Sequence, residues 1–238
     1  MHLFYIRHGQ SANNALYDTT NSDHGRVMDP ELTPVGMEQA ARVAESLRCG
    51  QSLLPMDGTG AEGFGITHLY SSLMLRAVHT ARMIAQALDL PLLGWTDLHE
   101  GGGIFLEDPD SGEYIGHPGS TLAELEARFP ELVWPADTRP DGWWNRPFEP
   151  SAVRRMRARS VLDELLRRHG GGDDRVAFVS HGNFFYHFMC TVLDLPDPRE
   201  VWFHMSNTAI TCLEFSDQHL VGIRYLNRTD HLPPVMVT

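Results

Sequence analysis

Two stretches of the chain end an apolar run on a histidine and a glycine: FYIRHG at residues 4–9 and AFVSHG at residues 177–182. A neutral imidazole is a nucleophile toward phosphorus, and a phosphohistidine divides one difficult displacement into two easier ones. His8 and His181 are therefore the first candidates for chemistry. Arg7 and Arg76 supply planar, permanently charged forks that match phosphate oxygens and hold charge as it redistributes during transfer. Glu100, in DLHEGGG, can protonate a leaving alkoxide and then deprotonate an attacking water. Two arginines and a second histidine bring the positive charge that a metal would otherwise bring, so the expected chemistry needs neither metal nor cofactor. No HExxH or similar ligand pair occurs among the 13 histidines.

These residues are useful only if the fold brings them together. HLFYI, residues 2–6, and RVAFVS, residues 175–180, have the composition of buried strands, which places both histidines at strand carboxyl ends. Thr33 and Pro34 start a helix that runs to about Arg48. ITHLYSS, residues 66–72, is a strand feeding a helix over 73–88, with Leu73, Ala77, Ile84 and Leu88 on its apolar face and Arg76 in its first turn. LPLLGW is a third strand, and Glu100 lies just past it. A helix over 151–170 and another after His181 follow, and TAITCLEFS and HLVGIRYLN form a closing antiparallel pair joined by a polar turn. Residues 51–65 form a glycine-rich loop. The alternation implies an α/β fold, a mostly parallel central sheet with helices on both faces. In such sheets the ligand crevice lies beyond the carboxyl ends of the strands, where His8 and His181 can face each other.

RHGQSANN, DPELTPVGMEQA, SSLMLRAVHTA, the Glu of DLHE, and VSHGN occur in this order. The set resembles the histidine phosphatase superfamily, in the branch that includes cofactor-dependent phosphoglycerate mutases and many small-molecule phosphatases. The resemblance implies a three-layer α/β/α sandwich of phosphoglycerate mutase-like type. It implies His8 as the residue that becomes phosphorylated, Arg7 and Arg76 as phosphate clamps, His181 as stabiliser of the transferring group, and Glu100 as acid and base. Asn14 matches the polar residue closing the first motif, which binds phosphate or orients a neighbour. Ser11 also matches, with a turn role equally open, and Asn183 joins the phosphate-binding candidates. The mutases lead one to expect Glu followed by Arg and then a Tyr-Gly pair. Here Glu100 is followed by GGGIF, which favours a phosphatase of a small organic phosphate over a mutase. A binding protein that recognises phosphate without turnover is a further alternative, disfavoured because a pure binder needs no nucleophile aligned with an acid.

The chain has 238 residues, 42% hydrophobic and 21% charged, the makeup of a globular protein. One domain, 1–238, is expected, carrying a lid-like insertion at about 101–149 that is rich in Gly and Pro and holds Trp134, Trp143 and Trp144. A net charge of -12 argues against nucleic acid and anionic membrane as partners and leaves a small phosphorylated metabolite. The absence of a signal-like or membrane-spanning run gives a cytoplasmic expectation. The apolar C-terminal strand pair offers an edge for a homo-oligomer. Cys49, Cys190 and Cys212 read as buried reduced thiols. The tryptophans read as packing anchors, RRMRAR (154–159) as a solvated helix face above a core stripe including Val153, Met156 and Leu162, and His187 and His204 as core or supporting histidines.

Overall fold

The computed structural model describes residues 1–53, 63–195, 201–216 and 220–238. Its elements in chain order begin with β1 (His2–Arg7), α1 (Ala12–Thr20), α2 (Pro34–Cys49), β2 (His68–Ser71), α3 (Leu75–Leu88) and β3 (Leu92–Gly94). The 101–149 segment holds β4 (Phe105–Glu107), β5 (Tyr114–Gly116), α4 (Leu122–Arg128) and β6 (Leu132–Val133). Then come α5 (Ser151–His169), β7 (Arg175–Ser180), α6 (Gly182–Val192), β8 (Ile210–Phe215) and β9 (Val221–Arg228). Part of the expected glycine-rich loop (54–62) and the polar turn between the last strands (217–219) lie outside the described residues.

Seven strands form one sheet in the order β6-β3-β2-β7-β1-β8-β9. The first five run parallel, and β8 returns antiparallel against β1 and β9 against β8. The sheet is thus mostly parallel, as the α/β reading expects. Central strands are buried on both sides because their apolar residues alternate between two cores. Phe4, Ile6, Ala177 and Val179 face α2 and α3, among Val43, Leu47, Val78 and Ile84. Leu3, Tyr5, Val176 and Phe178 face α5 and α6, among Val161, Leu165, Phe184 and Phe188.

Helix ends follow their local chemistry. Thr33 Oγ1 accepts from Gly36 N at 3.0 Å and Pro34 occupies the first turn of α2, as expected. α1 was not foreseen. Ser11 caps it, accepting from Asn14 N while the Asn14 side chain accepts from Ser11 N, a reciprocal box worth about 1 kcal/mol.

The 101–149 segment is not peripheral to the core. β6 pairs with β3 at the edge of the central sheet, and Ile104, Leu125, Phe129, Trp143 and Trp144 join the α2/α3 core. Two expectations need correction. Cys49 is exposed at the end of α2, because the helix turns its apolar stripe through Val43 and Leu47 instead, while Cys190 and Cys212 are buried. Met156 is 63% exposed, and the core stripe of α5 is Ala158, Val161, Leu162 and Leu165.

Candidate active site

Parallel register sets the centre. β1 and β7 pair through Arg7↔Ser180, so His8 and His181 are the next residue on each strand. Their rings stand 5.0 Å apart between centroids, both buried. β2 lies on the other side of β7, and Ser72, one residue past its end, places Oγ 2.8 Å from His181 Nε2. α3 starts directly afterward and aims Arg76 inward from its first turn.

The hydrogen bonds around His8 fix its tautomer. Nδ1 donates to the Gly9 carbonyl at 2.6 Å, so Nε2 carries the lone pair, and Arg76 Nε donates to it at 3.1 Å. Burial first, then the charges of Arg76 and Arg7, hold the His8 imidazole well below the usual histidine range. Burial, Arg76 and His8 do the same to His181. Both rings are therefore neutral near pH 7. Arg7 Nη1 donates to the Met205 carbonyl at 2.6 Å, while its Nε and His181 Nδ1 are buried without a protein partner. Each is left to meet a group that the protein itself does not supply.

Arg76 is held from behind by Asp29, whose Oδ1 lies 3.5 Å from Nη1 and accepts from Leu75 N. Burial lifts the Asp29 carboxyl to about 7 against the pull of Arg76. Thr80 accepts from Gly9 N at 3.0 Å and donates to the Arg76 carbonyl, tying the loop after β1 to α3. Asn207 donates to the His8 carbonyl and to Asn14 Oδ1. The loop after β1 and the start of α2 touch backbone to backbone: a Cβ on Gly9 would strike the Gly36 carbonyl, and one on Gly36 the Gln10 carbonyl. Gly36→Ala is therefore expected to push the His8 loop out of register, destabilising the fold by about 1–3 kcal/mol and lowering turnover more than tenfold. Thermal unfolding and a phosphatase assay on the one variant check both effects.

Glu100 follows a short 3-10 turn (Thr96–Leu98) that separates it from β3 by more than the sequence suggests. Its Oε1 accepts from Gly101 N and Phe184 N at 2.8 and 2.9 Å, and Oε2 from Asn183 N at 3.3 Å, so it sits on the amino end of α6. The glycines after it are dictated by geometry: Gly102 and Gly103 have φ of +92° and +77°, and side chains there would strike Phe105 and Trp144.

The candidates share one cavity of about 640 Å³. Arg7, His8, Ser11, Asn14, Arg76, Glu100 and Asn183 line it, and the fully buried His181 ring stands 5.0 Å from that of His8. Ser11 and Asn14 reach the cavity wall while spending their hydrogen bonds on the α1 cap and on Asn207. His204 is exposed on the wall and not in the core, and His187 is half-buried.

Sequence reasoning missed two cations here. Arg26 reaches the cavity from the segment before α2, its guanidinium 4.3 Å from the Phe105 ring. Arg154 enters from α5 and donates to Asn183 Oδ1 at 3.1 Å and to the Glu149 carbonyl. The solvated-face reading of 154–159 is corrected accordingly. Arg157 is turned inward as a fork on buried Glu149 at 2.7 and 2.8 Å, with Nη1 on the carbonyls of Asp97 and His99. Because α5 packs its amino end against the segment carrying Glu100, its arginines meet acceptors that their own helix does not reveal. Among the supporting residues, Asp29 lies inside DPELTPVG and Ser72 and Thr80 inside SSLMLRAVHTA, motifs that could have drawn attention.

Stability should carry the mark of these buried rings. The unfolded chain protonates histidine near 6.5, whereas His8, His99 and His181 stay neutral to well below it. Below pH 6.5 the unfolded state binds more protons, so stability falls on acidification. Asp29 works the other way: its proton stays on in the folded state between 3.8 and about 7, a contribution lost as pH rises through that window. Three histidines outweigh one aspartate, and Tm is expected to drop from pH 7 to pH 5. A Tm that rises over that interval would contradict neutral buried rings.

The match to known proteins follows the same lines. Residues 3–228 match the family model of the histidine phosphatase superfamily (branch 1). A curated relative from Yersinia enterocolitica, named "Probable phosphoglycerate mutase GpmB", is 25% identical over 220 residues, 91% of this chain and 86% of its own. Among solved structures, a phosphoserine phosphatase from Entamoeba histolytica in complex with phosphoserine superposes with a TM-score of 0.60 at 22% identity, over 98% of this chain and 99% of that one. A mycobacterial glucosyl-3-phosphoglycerate phosphatase in complex with VO3 gives 0.57 at 21% identity, over 96% and 99%. The fold is thus that of phosphoglycerate mutase-like phosphatases, and no described helix is long and apolar enough to cross a membrane. With a family match along nearly its whole length, the chain belongs to branch 1 of the histidine phosphatase superfamily.

Proposed function

We propose that this chain is a phosphomonoester hydrolase that acts on a small organic phosphate through a phosphohistidine on His8. The observation that carries the reading is the His8 ring: buried, neutral, with Nδ1 committed to Gly9, Nε2 accepting from Arg76 Nε, and the second histidine ring 5.0 Å away. Nε2 attacks phosphorus as the ester P–O bond breaks, and Glu100 in its acid form gives its proton to the leaving alkoxide. A water then attacks phosphorus as the P–N bond breaks, giving its proton back to Glu100, and inorganic phosphate leaves. Arg7, Arg76 and His181 hold the phosphoryl oxygens in both steps. Asn14, Ser11 and Asn183 act one layer out: the first two shape the loop carrying His8, and Asn183 joins Glu100 to Arg154.

A second reading, transfer between positions of a phosphoglycerate, is favoured by one feature. Arg26 and Arg154 bring to the cavity the positive charge that the residues after Glu100 lack. Phosphate release from a panel of sugar, nucleotide, glycerate and aryl phosphates, with chelator present, separates the two. Release without any bisphosphoglycerate primer is the hydrolase result. Primer-dependent interconversion of monophosphoglycerates with little release is the mutase result.

A further inference from the structure

The amino-terminal end of the sheet gathers three side chains that phosphoryl chemistry does not use. His68 opens β2, His169 is the last residue of α5, and Asp174 immediately precedes β7. His68 and His169 are far apart in the chain, so no ligand motif announces them. One donor atom from each lies within 4.8 Å of the other two. Asp174 divides its oxygens between the imidazoles, with Oδ2 2.8 Å from His169 Nδ1 and Oδ1 3.9 Å from His68 Nδ1. A tetrahedral ion with bonds of about 2.1 Å sets its donors roughly 3.4 Å apart, between those two values. From this geometry we infer a binding site for a zinc-type divalent cation, held by His68 Nδ1, His169 Nδ1 and Asp174.

The surroundings fit the requirements of such a site. Nitrogen and carboxylate donors in this ratio suit zinc better than the hard, oxygen-seeking cations. His169 is buried, and its Nε2 lies 3.0 Å from the Tyr70 hydroxyl. When Nδ1 takes the metal, the ring proton now shared with Asp174 moves to Nε2 and is accepted by the Tyr70 oxygen, the outer contact that orients metal-bound imidazoles. The His68 and Asp174 side chains are 37% and 36% exposed, which leaves an entry path. His68 Nδ1 must give up Thr67 Oγ1 at 2.9 Å, but that hydroxyl also has the Arg175 carbonyl at 3.2 Å and is not orphaned. Ser72, four residues along from His68, touches His181, so the site lies about 13 Å of strand from the phosphoryl centre. An ion here joins β2, the end of α5 and the entry to β7. Its effect is therefore on stability, independent of the proposed reaction.

The test is zinc titration of the purified chain by calorimetry, with cobalt absorption to read the ligand set. Saturable binding is expected, with Tm raised by roughly 5 °C at a hundredfold excess over Kd. His68→Ala and Asp174→Asn, both at partly exposed positions, should each weaken binding at least tenfold and abolish the Tm rise, whereas His8→Ala should leave both unchanged. No saturable binding, or binding indifferent to His68→Ala and Asp174→Asn, overturns the site.

Discussion

His8→Ala is expected to lower kcat for phosphate release by roughly 10⁴-fold or more while leaving substrate affinity within about tenfold. The asymmetry follows from where the charges sit. In the proposed reaction Arg7, Arg76 and His181 hold the phosphoryl oxygens, and the variant retains all three, so the ground state is held. What disappears is the Nε2 lone pair, and with it the covalent route, a loss of about 5.5 kcal/mol of transition-state stabilisation per 10⁴-fold. The buried, neutral ring was ready to react without first losing a proton, so nothing nearby substitutes for it. His181 is the nearest alternative, but it is fully buried and is not part of the cavity lining, where His8 stands. Steady-state kinetics with phosphate binding measured separately distinguishes this outcome from simple misfolding, which would lower both.

Glu100→Gln should lower kcat/KM, which reports the first step, by 10²- to 10⁴-fold with alkyl phosphates and much less with an aryl phosphate whose phenolate leaves unprotonated. Gln keeps the shape and can still accept from Gly101 N and Phe184 N at the start of α6, so the loop is preserved. The variant removes proton transfer specifically. Two leaving groups compared on one protein make the assignment testable: an equal loss on both would mean that Glu100 positions groups and moves no proton in the first step. With the aryl ester the second step, where water must be deprotonated, becomes rate-limiting, and phosphohistidine accumulates.

Much of this centre was legible in the chain. Strands ending on RHG and SHG could be read because apolar runs bounded by glycine are local signals, and parallel pairing then forces the two histidines together. The helix placing Arg76 was equally local, with an apolar stripe and a position in the first turn. What escaped was set by tertiary contact. Arg154 and Arg157 look like surface charge on an isolated helix, and only the packing of α5 against residues 97–100 and Glu149 turns them inward. β6 is two residues long, too short for any periodicity, and exists because β3 offers it an edge. Asp29 takes its place beside the site only because α3 brings Leu75 N and Arg76 onto it. The glycines after Glu100 read as a flexible loop, whereas they are the side-chain-free positions that Phe105 and Trp144 require.

The most direct test of the central claim is to stop turnover of an aryl phosphate in alkali, where phosphohistidine survives, and to map the protein by peptide mass spectrometry. The account predicts one phosphoryl group on the peptide containing His8, increased in Glu100→Gln and absent in His8→Ala. Label on His181 in its place, or rapid turnover with no labelled histidine in Glu100→Gln, would contradict it.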